Sequence, residues 1–154
     1  MPVFRPPTDD DWLNILRIAD LSVAEVPGVP SQEEWMNNRR TFARRGKQVH
    51  FVRVEHDSLT GYGALEQVSG ADDDGYRLFV VAHPDQLDTV GNEILDHLAE
   101  LLGEHAATSS WFVEYAQATQ LIGFIQSKGY REARRFTLAS GHGAVVLSMP
   151  HTRR

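Results

Sequence analysis

The sequence has no cysteine, comparatively few basic residues and no long apolar run, and each absence excludes a class of protein. Without cysteine there are no disulfides, thiolate nucleophiles or cysteine-ligated zinc, which suits the cytoplasm. With 15 basic against 21 acidic residues, the formal charge of -6 gives no electrostatic basis for binding nucleic acid. No stretch approaches the roughly 18 apolar residues of a membrane span, and the N-terminus lacks an apolar signal core. We therefore expect a soluble, cytoplasmic protein.

The composition that is present predicts one globular domain. A chain of 154 residues with 42% hydrophobic residues can fill a single core. Neither repeats nor a linker divides the chain. The predicted domain therefore covers residues 1–154.

The first third of the chain predicts two helices after a short N-terminal strand. Thr8 precedes three aspartates, whose charge favours a helix start, and apolar residues at helical spacing from Trp12 onwards give that helix a buried face. A second helix is expected over 32–45, with Trp35 and Phe42 turned to the core.

The remainder predicts mainly strands, with two further helices. Apolar residues at helical spacing predict a helix around 94–102, and Gly129 closes a short helix around 121–125. The element order is β-α-α-β-β-β-α-β-α-β-β, which is an α+β layer architecture. The alternating segments expected to be strands are 48–55, 62–68, 76–81, 111–115, 131–138 and 144–149, with a turn at 56–61.

The segment 80–92 is the most informative stretch, because a strand there runs into a loop that opens a helix. Pro84 ends the strand, and the loop can point successive backbone N–H groups at a phosphate, with the helix dipole adding attraction. Gly91 permits a close backbone approach. The alternative interpretation is an ordinary strand-to-helix connection.

Two motifs, taken with the element order, resemble the GNAT superfamily of acyl-CoA-dependent N-acyltransferases over nearly the whole chain. In that family a loop of pattern Gln/Arg-x-x-Gly-x-Gly/Ala follows the strand, and residues 86–91 match its outer positions, with Thr89 in place of the inner glycine. The second motif is a helix of pattern Asn-x-x-Ala-x-x-Phe-Tyr followed by a Gly-aromatic pair. Its matches in this chain are Ala118, Leu121, Phe124, Ile125 and the pair Gly129-Tyr130.

The resemblance implies a fold, a cosubstrate and a reaction. The expected fold is an α+β, mostly antiparallel sheet of six to seven strands with a central splay, flanked by about four helices. Acetyl-CoA is the implied cosubstrate, and the implied reaction is direct transfer of its acetyl group to a small-molecule or protein amine, with a backbone N–H near Val81 or Ala82 polarising the carbonyl. The residues implied in cofactor binding are Val81, Ala82, His83, Gln86, Leu87, Asp88, Thr89, Val90, Gly91, Asn92 and Lys128.

Departures from the family pattern fall at functional positions. Ile125 replaces the tyrosine that often protonates the departing thiolate, Ala118 replaces the asparagine, and Asp88 puts a negative charge in the phosphate loop. These departures motivate a second hypothesis, a catalytically inactive GNAT-like module that binds a ligand or partner. A third is an α+β domain unrelated to this family.

The catalytic base is expected near the splay, where four side chains are candidates by strand position. These are Glu66, Glu114, Tyr115 and His83. For Glu66, Glu114 and Tyr115 the alternative is a solvated strand residue.

Other charged and aromatic groups were assigned structural roles or left open. The acidic turn Asp72–Asp74 either attracts a cationic acceptor or stays solvated, and the pair Glu93 and His97 suggests no metal site. Trp12, Trp35 and Phe42 are either core residues or the acceptor pocket, and a homodimer through the final strands is an expectation of the resemblance. The arginines expected on exposed faces are Arg39, Arg40, Arg44, Arg45, Arg131, Arg134 and Arg135.

Overall fold

The computed structural model describes residues 1–69, 74–107 and 109–149, and these form one mixed sheet with helices on both faces. Within these ranges there are four helices, α1 Trp12–Ser22, α2 Glu33–Arg44, α3 Asn92–Ala107 and α4 Thr119–Ser127. The seven strands are β1 Val3–Arg5, β2 Gln48–Glu55, β3 Ser58–Ser69, β4 Asp74–Ala82, β5 Ser110–Tyr115, β6 Arg131–Thr137 and β7 Gly143–Ser148. This is the α+β fold that the resemblance implies.

The sheet has the strand order β1-β2-β3-β4-β5-β7-β6, and every neighbouring pair except β4–β5 is antiparallel. The β3–β4 register runs without a shift from Gly61 opposite Ala82 to Ser69 opposite Asp74. β4 and β5 are parallel because α3 crosses over between them. The parallel pair therefore stands at the centre of the sheet.

The parallel pair is short, and the two strands separate beyond it. Only Tyr76 with Ser110 and Arg77 with Trp111 are paired, although β4 continues to Ala82 and β5 to Tyr115. The predicted central splay is therefore present, and it opens towards the C-terminal ends of both strands.

Each face of the sheet has its own apolar core. One core packs α3 and α4 against β4, β5 and β7, and includes Leu78, Ile94, Phe112 and Ile125. The other packs α1 and α2 against β2, β3 and β4, with Ile15 and Tyr62 fully buried. Successive residues of β2 and β4 alternate between the two cores, as a period of two requires.

Several predicted details differ in the structure. The β2–β3 turn comprises His56 and Asp57, whose φ of 52° and 62° suit a two-residue hairpin turn, so the strand predicted from 62 begins at Ser58. Residues 84–91, predicted as a loop, form a 3₁₀ turn and a π-helical turn continuous with α3. Leu87 and Val90 explain this helical path, because both are buried in the core.

Helix α2 also presents a different face from the predicted one. Met36 and Arg39 are its buried residues, while Trp35 and Phe42 are only partly buried. Of the predicted acidic turn, Asp72 and Asp73 lie outside the described residues.

Candidate active site

A cavity of about 430 Å³ lies between the splayed strands and the two N-terminal helices. Its walls come from α1 and α2, from the C-terminal halves of β4 and β5, and from the start of α4. Cavities of this size suit small-molecule ligands. The charged and phenolic side chains that line it are Glu34, Arg39, Arg77, Glu114 and Tyr115.

Glu114 is the predicted base candidate with the most perturbed carboxyl group. Burial raises the pKa of Glu114 from its ordinary value of 4.5 to about 8, and the nearby Arg77 guanidinium opposes that rise. A carboxyl group with a pKa of about 8 can exchange a proton near neutral pH. Glu114 therefore lines the cavity with a carboxyl group that changes its protonation state near neutral pH.

The other three base candidates lie in different surroundings. Tyr115 lines the same cavity, and its ring meets the edge of the His142 ring at a centroid distance of 5.6 Å. The carboxylate of Glu66 instead lies 3.3 Å from the Arg39 guanidinium. His83 lies after β4, where its Nδ1 accepts a hydrogen bond from the Asp85 N–H at 3.1 Å. The structure thus brings together Glu114 and Tyr115 and leaves Glu66 and His83 apart.

The splay exposes one backbone edge of β4. The N–H of Tyr76 donates to the Ser109 carbonyl on the β5 side, at 3.0 Å. Because strand residues alternate in direction and the β3–β4 register has no shift, Val80 and Ala82 present their N–H and C=O groups to that same side. Val81 presents its groups to β3, opposite Tyr62. Of the two residues expected to polarise a carbonyl, Ala82 has the suitable direction.

The turn predicted to hold a phosphate has a buried side and an exposed side. Leu87, Val90 and Gly91 are buried, while Gln86, Asp88 and Thr89 are exposed. The space that Gly91 leaves faces the core, since a Cβ atom there would lie 3.2 Å from Cζ of Phe124. The absence of a side chain at Gly91 therefore allows the Phe124 ring to pack closely against the turn.

The two remaining predicted binding residues flank this turn. Nδ2 of Asn92 donates to the Asp88 carbonyl at 2.6 Å, while its buried Oδ1 has no hydrogen-bond partner in the described part of the chain. Lys128 is exposed at the end of α4, with its ammonium 5.6 Å from the centroid of the Phe124 ring. Phe124, the ring next to the Lys128 ammonium, is also the ring that packs against Gly91.

The two departures on α4 lie in the core. Ile125 is 0% exposed and Ala118 is 1% exposed, and both belong to the core between α3, α4 and the sheet. Neither lines the cavity described above.

Two charged residues of the cavity were missed or misassigned from the sequence. Arg77 was read only as part of a strand, and Arg39 was placed on an exposed face, whereas Arg39 is 4% exposed. Arg39 is held by Gln48 and Glu66, which are opposite one another in the β2–β3 register. The available signal was the pairing of polar residues across adjacent strands, Gln48 with Glu66 and Glu66 with Arg77.

The other candidate groups have structural partners. Glu93 pairs with Arg53 at 3.0 Å, and the His97 ring stacks on Phe4 with centroids 4.3 Å apart. Within the described ranges, no three His, Asp or Glu side chains are grouped to hold a metal ion. None of the described helices combines the length and apolar character needed to cross a bilayer.

Comparison with solved structures identifies the fold. A GNAT-family protein from Desulfovibrio desulfuricans matches with a TM-score of 0.70 and 13% identity, over 96% of this chain and 97% of its own. The ribosomal-protein-S18-alanine N-acetyltransferase of Escherichia coli matches at 0.64 and 20% identity, over 100% and 96%. PaiA N-acetyltransferase of Thermoplasma acidophilum, in complex with coenzyme A, matches at 0.66 and 11% identity, over 96% and 99%. The chain has the GNAT acetyltransferase fold over its whole described length.

Sequence comparison adds no closer relative. No family profile matches the sequence, and no curated protein matches it significantly.

Proposed function

We propose that the protein is an N-acetyltransferase that uses acetyl-CoA as cosubstrate and acetylates a primary amine by direct attack. The observation that carries this proposal is the opening of β4 from β5 beyond Arg77, which places the free edge of β4 beside a cavity lined by Glu114. The likeness to acetyltransferase folds, one of them in complex with coenzyme A, supports it.

The residues present fit acetyl-CoA in two places. The edge formed by Val80 and Ala82 offers alternating donors and acceptors to an extended amide-containing arm. The turn at 84–91 and the start of α3 offer a positive dipole end to phosphates, but Pro84 has no N–H and the N–H groups of Asp85 and Gln86 already donate to His83. The residues that would hold the cosubstrate are Val81, Ala82, His83, Gln86, Leu87, Asp88, Thr89, Val90, Gly91, Asn92 and Lys128. Its bound form supplies an activated acetyl thioester.

The chain's own contribution to the reaction is a base and a backbone donor. In its ionised form Glu114 takes the proton of the acceptor ammonium, and the neutral nitrogen forms the new C–N bond. The C–S bond then breaks, and the second proton that the nitrogen loses ends on the departing thiolate to give the thiol. The N–H of Ala82 donates to the carbonyl oxygen as negative charge develops, an effect worth about 3 kcal/mol in comparable sites. Tyr115 is the phenol among the residues that line the cavity and can pass a proton to the leaving thiolate.

A second candidate function is a binding module without turnover. Three observations favour it: the exposed carboxylate of Asp88 in the phosphate turn, the core position of Ile125, and the filling of the Gly91 space by Phe124. Under this alternative the cavity binds its ligand and no acetyl group is transferred.

Calorimetric titration with acetyl-CoA, with ATP as a control, tests the cosubstrate. Release of free thiol is then measured across a panel of small amines and peptides. Saturable micromolar binding with turnover supports the acetyltransferase. Binding of a small amine without acetyl-CoA binding at millimolar concentration supports the second candidate.

A further inference from the structure

Four charged side chains lie in or next to the cavity: Arg39, Arg77 and Glu114 line it, and Glu66 contacts Arg39. Arg39 comes from α2, and Glu66, Arg77 and Glu114 come from β3, β4 and β5. Glu66 and Arg77 are direct partners in the β3–β4 register. The guanidinium carbons of Arg39 and Arg77 lie 4.1 Å and 4.7 Å from the centroid of the same Phe79 ring. The two guanidinium groups therefore share one aromatic ring at the base of the cavity.

Of these four side chains, only Arg39 and Glu66 form an ion pair. Nη1 of Arg39 lies 3.3 Å from Oε2 of Glu66 and also donates to Oε1 of Gln48. The Glu66 carboxylate therefore compensates the charge of Arg39. Across the described residues, Arg77 has neither a hydrogen bond nor an ion pair, and its Nε is buried without a partner. Glu114 likewise has no ion pair within 4.0 Å among them, although it interacts electrostatically with Arg77. Arg77 and Glu114 face the cavity with free bonding capacity.

Among the described residues no carboxylate contacts Arg77: burial lowers the pKa of its guanidinium, and the charges of Glu114 and Glu66 oppose that shift from a distance. The carboxyl group of Glu114 is mainly protonated at neutral pH, because burial raises its pKa to about 8. Glu34 lines the same cavity but is exposed on α2. A partly buried cation without a partner costs free energy that an anionic group of a ligand recovers. The interior of the cavity is therefore complementary to an anion.

We propose that the acceptor is a small aminocarboxylate, such as a free α-amino acid, whose carboxylate binds Arg77 and whose amino group lies at Glu114. This inference takes the site of the proposed function and names its substrate class. A planar guanidinium with no other partner suits bidentate binding of a carboxylate. A zwitterion provides one group for each of the two side chains that the fold leaves unpaired.

The cavity also distinguishes this class from other amines. Polyamines bring a second cation towards Arg77, which repels it. The N-terminal residue of a peptide carries an amide where the carboxylate of a free amino acid would bind, so a peptide offers Arg77 no anion at that distance from its amino group. The expected acceptor is therefore of amino-acid size.

Binding is measured first, without acetyl-CoA, so that the result does not depend on turnover. Calorimetry compares each common L-amino acid with its carboxamide and with the amine that lacks the carboxylate. The preferred amino acid is expected to bind the wild-type protein at least about tenfold more tightly than its carboxamide. Arg77→Gln removes that preference, Arg77→Lys retains part of it, and Arg44→Gln, on the exposed end of α2, leaves it unchanged.

Turnover with acetyl-CoA then separates the two proposals. Arg77-dependent binding of an amino acid without thiol release upholds the substrate class and overturns the acetyltransferase. The opposite result is thiol release with spermidine, with peptides or with amines that lack a carboxylate, at rates equal to those for amino acids. If Arg77→Gln leaves these rates unchanged, the proposed substrate class is wrong and the acetyltransferase activity is upheld. Equal binding of an amino acid and its carboxamide by the wild-type protein also overturns the proposed substrate class. Circular dichroism melting of both Arg77 variants checks that the fold is retained.

Discussion

Arg77 and Glu114 lie on neighbouring strands and line one cavity, yet no ion pair joins them. The β5 residue paired with Arg77 is Trp111, and Glu114 follows three residues later, where the two strands have diverged. If the two side chains were in contact, their opposite charges would neutralise each other. Because they form no ion pair, both remain available to bind a ligand.

We expect Glu114→Gln to lower kcat by about 10²- to 10⁴-fold, because the amide cannot accept the acceptor's proton. The KM for acetyl-CoA should change little, since Glu114 lies on the side of the acceptor cavity. Thiol release under saturating substrate measures this, with Glu25→Gln, an exposed change of equal charge, as the control. A variant with wild-type kcat would show that another group is the base.

The wild-type rate should also rise with pH until about pH 8, as the Glu114 carboxyl group loses its proton. This limb should be missing from the residual activity of Glu114→Gln. A wild-type profile that is flat between pH 6 and 9 would contradict the assignment.

The same carboxyl group should make the protein less stable in alkali. Its pKa lies near 8 in the folded protein and near 4.5 ordinarily, so the folded state binds the proton more tightly between those values. The stabilisation is complete below pH 4.5 and is lost as the pH rises through 8, with a slope of at most about 1.4 kcal/mol per pH unit. Urea unfolding from pH 5 to 9 should show this slope in the wild type and not in Glu114→Gln.

His50 should give the opposite dependence in acid. Burial, with a smaller effect of Arg39, lowers the pKa of His50 from 6.5 to about 4. The unfolded chain therefore binds the proton more tightly between these values, and stability is lost as the pH falls from 6.5 through 4. Nδ1 of His50 lies 2.8 Å from the Tyr62 hydroxyl, which protonation would disturb.

The measurement for His50 is the free energy of unfolding from pH 7 to 4. His50→Asn should flatten the curve between pH 6.5 and 4, while His56→Asn, in the exposed β2–β3 turn, should follow the wild type. Parallel curves for the wild type and His50→Asn would refute the prediction.

Substitution of Gly91 should affect the core before it affects a cosubstrate. A Cβ at Gly91 meets Phe124 at 3.2 Å and Leu87 at 3.4 Å, so Gly91→Ala should cost about 1 kcal/mol of stability. Gly123, in α4, has nothing within 4 Å of the added atom, and Gly123→Ala should add about 0.5–1 kcal/mol. Urea unfolding compares the two, and equal effects would contradict the packing argument.

Asp88 should weaken acetyl-CoA binding by repelling its phosphates. Asp88→Asn should tighten binding about two- to fivefold at low ionic strength, and high salt should remove the gain. The matched change Asp96→Asn, exposed further along α3, should have less effect. A gain that persists in high salt would indicate a contact other than charge repulsion.

The element order could be read from the sequence because it depends on local periodicity. Alternation in 48–55 and helical spacing after Ile94 both predicted elements that the structure contains. The segment 84–91 was misread, because a proline and polar residues suggest a loop, whereas burial of Leu87 and Val90 keeps it helical. That burial depends on packing against distant parts of the chain.

The site was only partly predictable for the same reason. Glu114 and Tyr115 were identified through the expected splay, which the structure contains. Arg77 and Arg39 were not identified, because their isolation or pairing depends on strand register and on how α2 lies over the sheet.

The sequence by itself determined the absence of cysteine chemistry, the negative charge and the succession of helices and strands, because composition and periodicity are local properties. Tertiary structure decided which charges meet. Glu66 compensates Arg39 because β3 and α2 come together, and Arg77 forms no ion pair because its register partner on β5 is Trp111 rather than Glu114. The pairing of Arg39 and the isolation of Arg77 both depend on contacts between residues that are far apart in the chain.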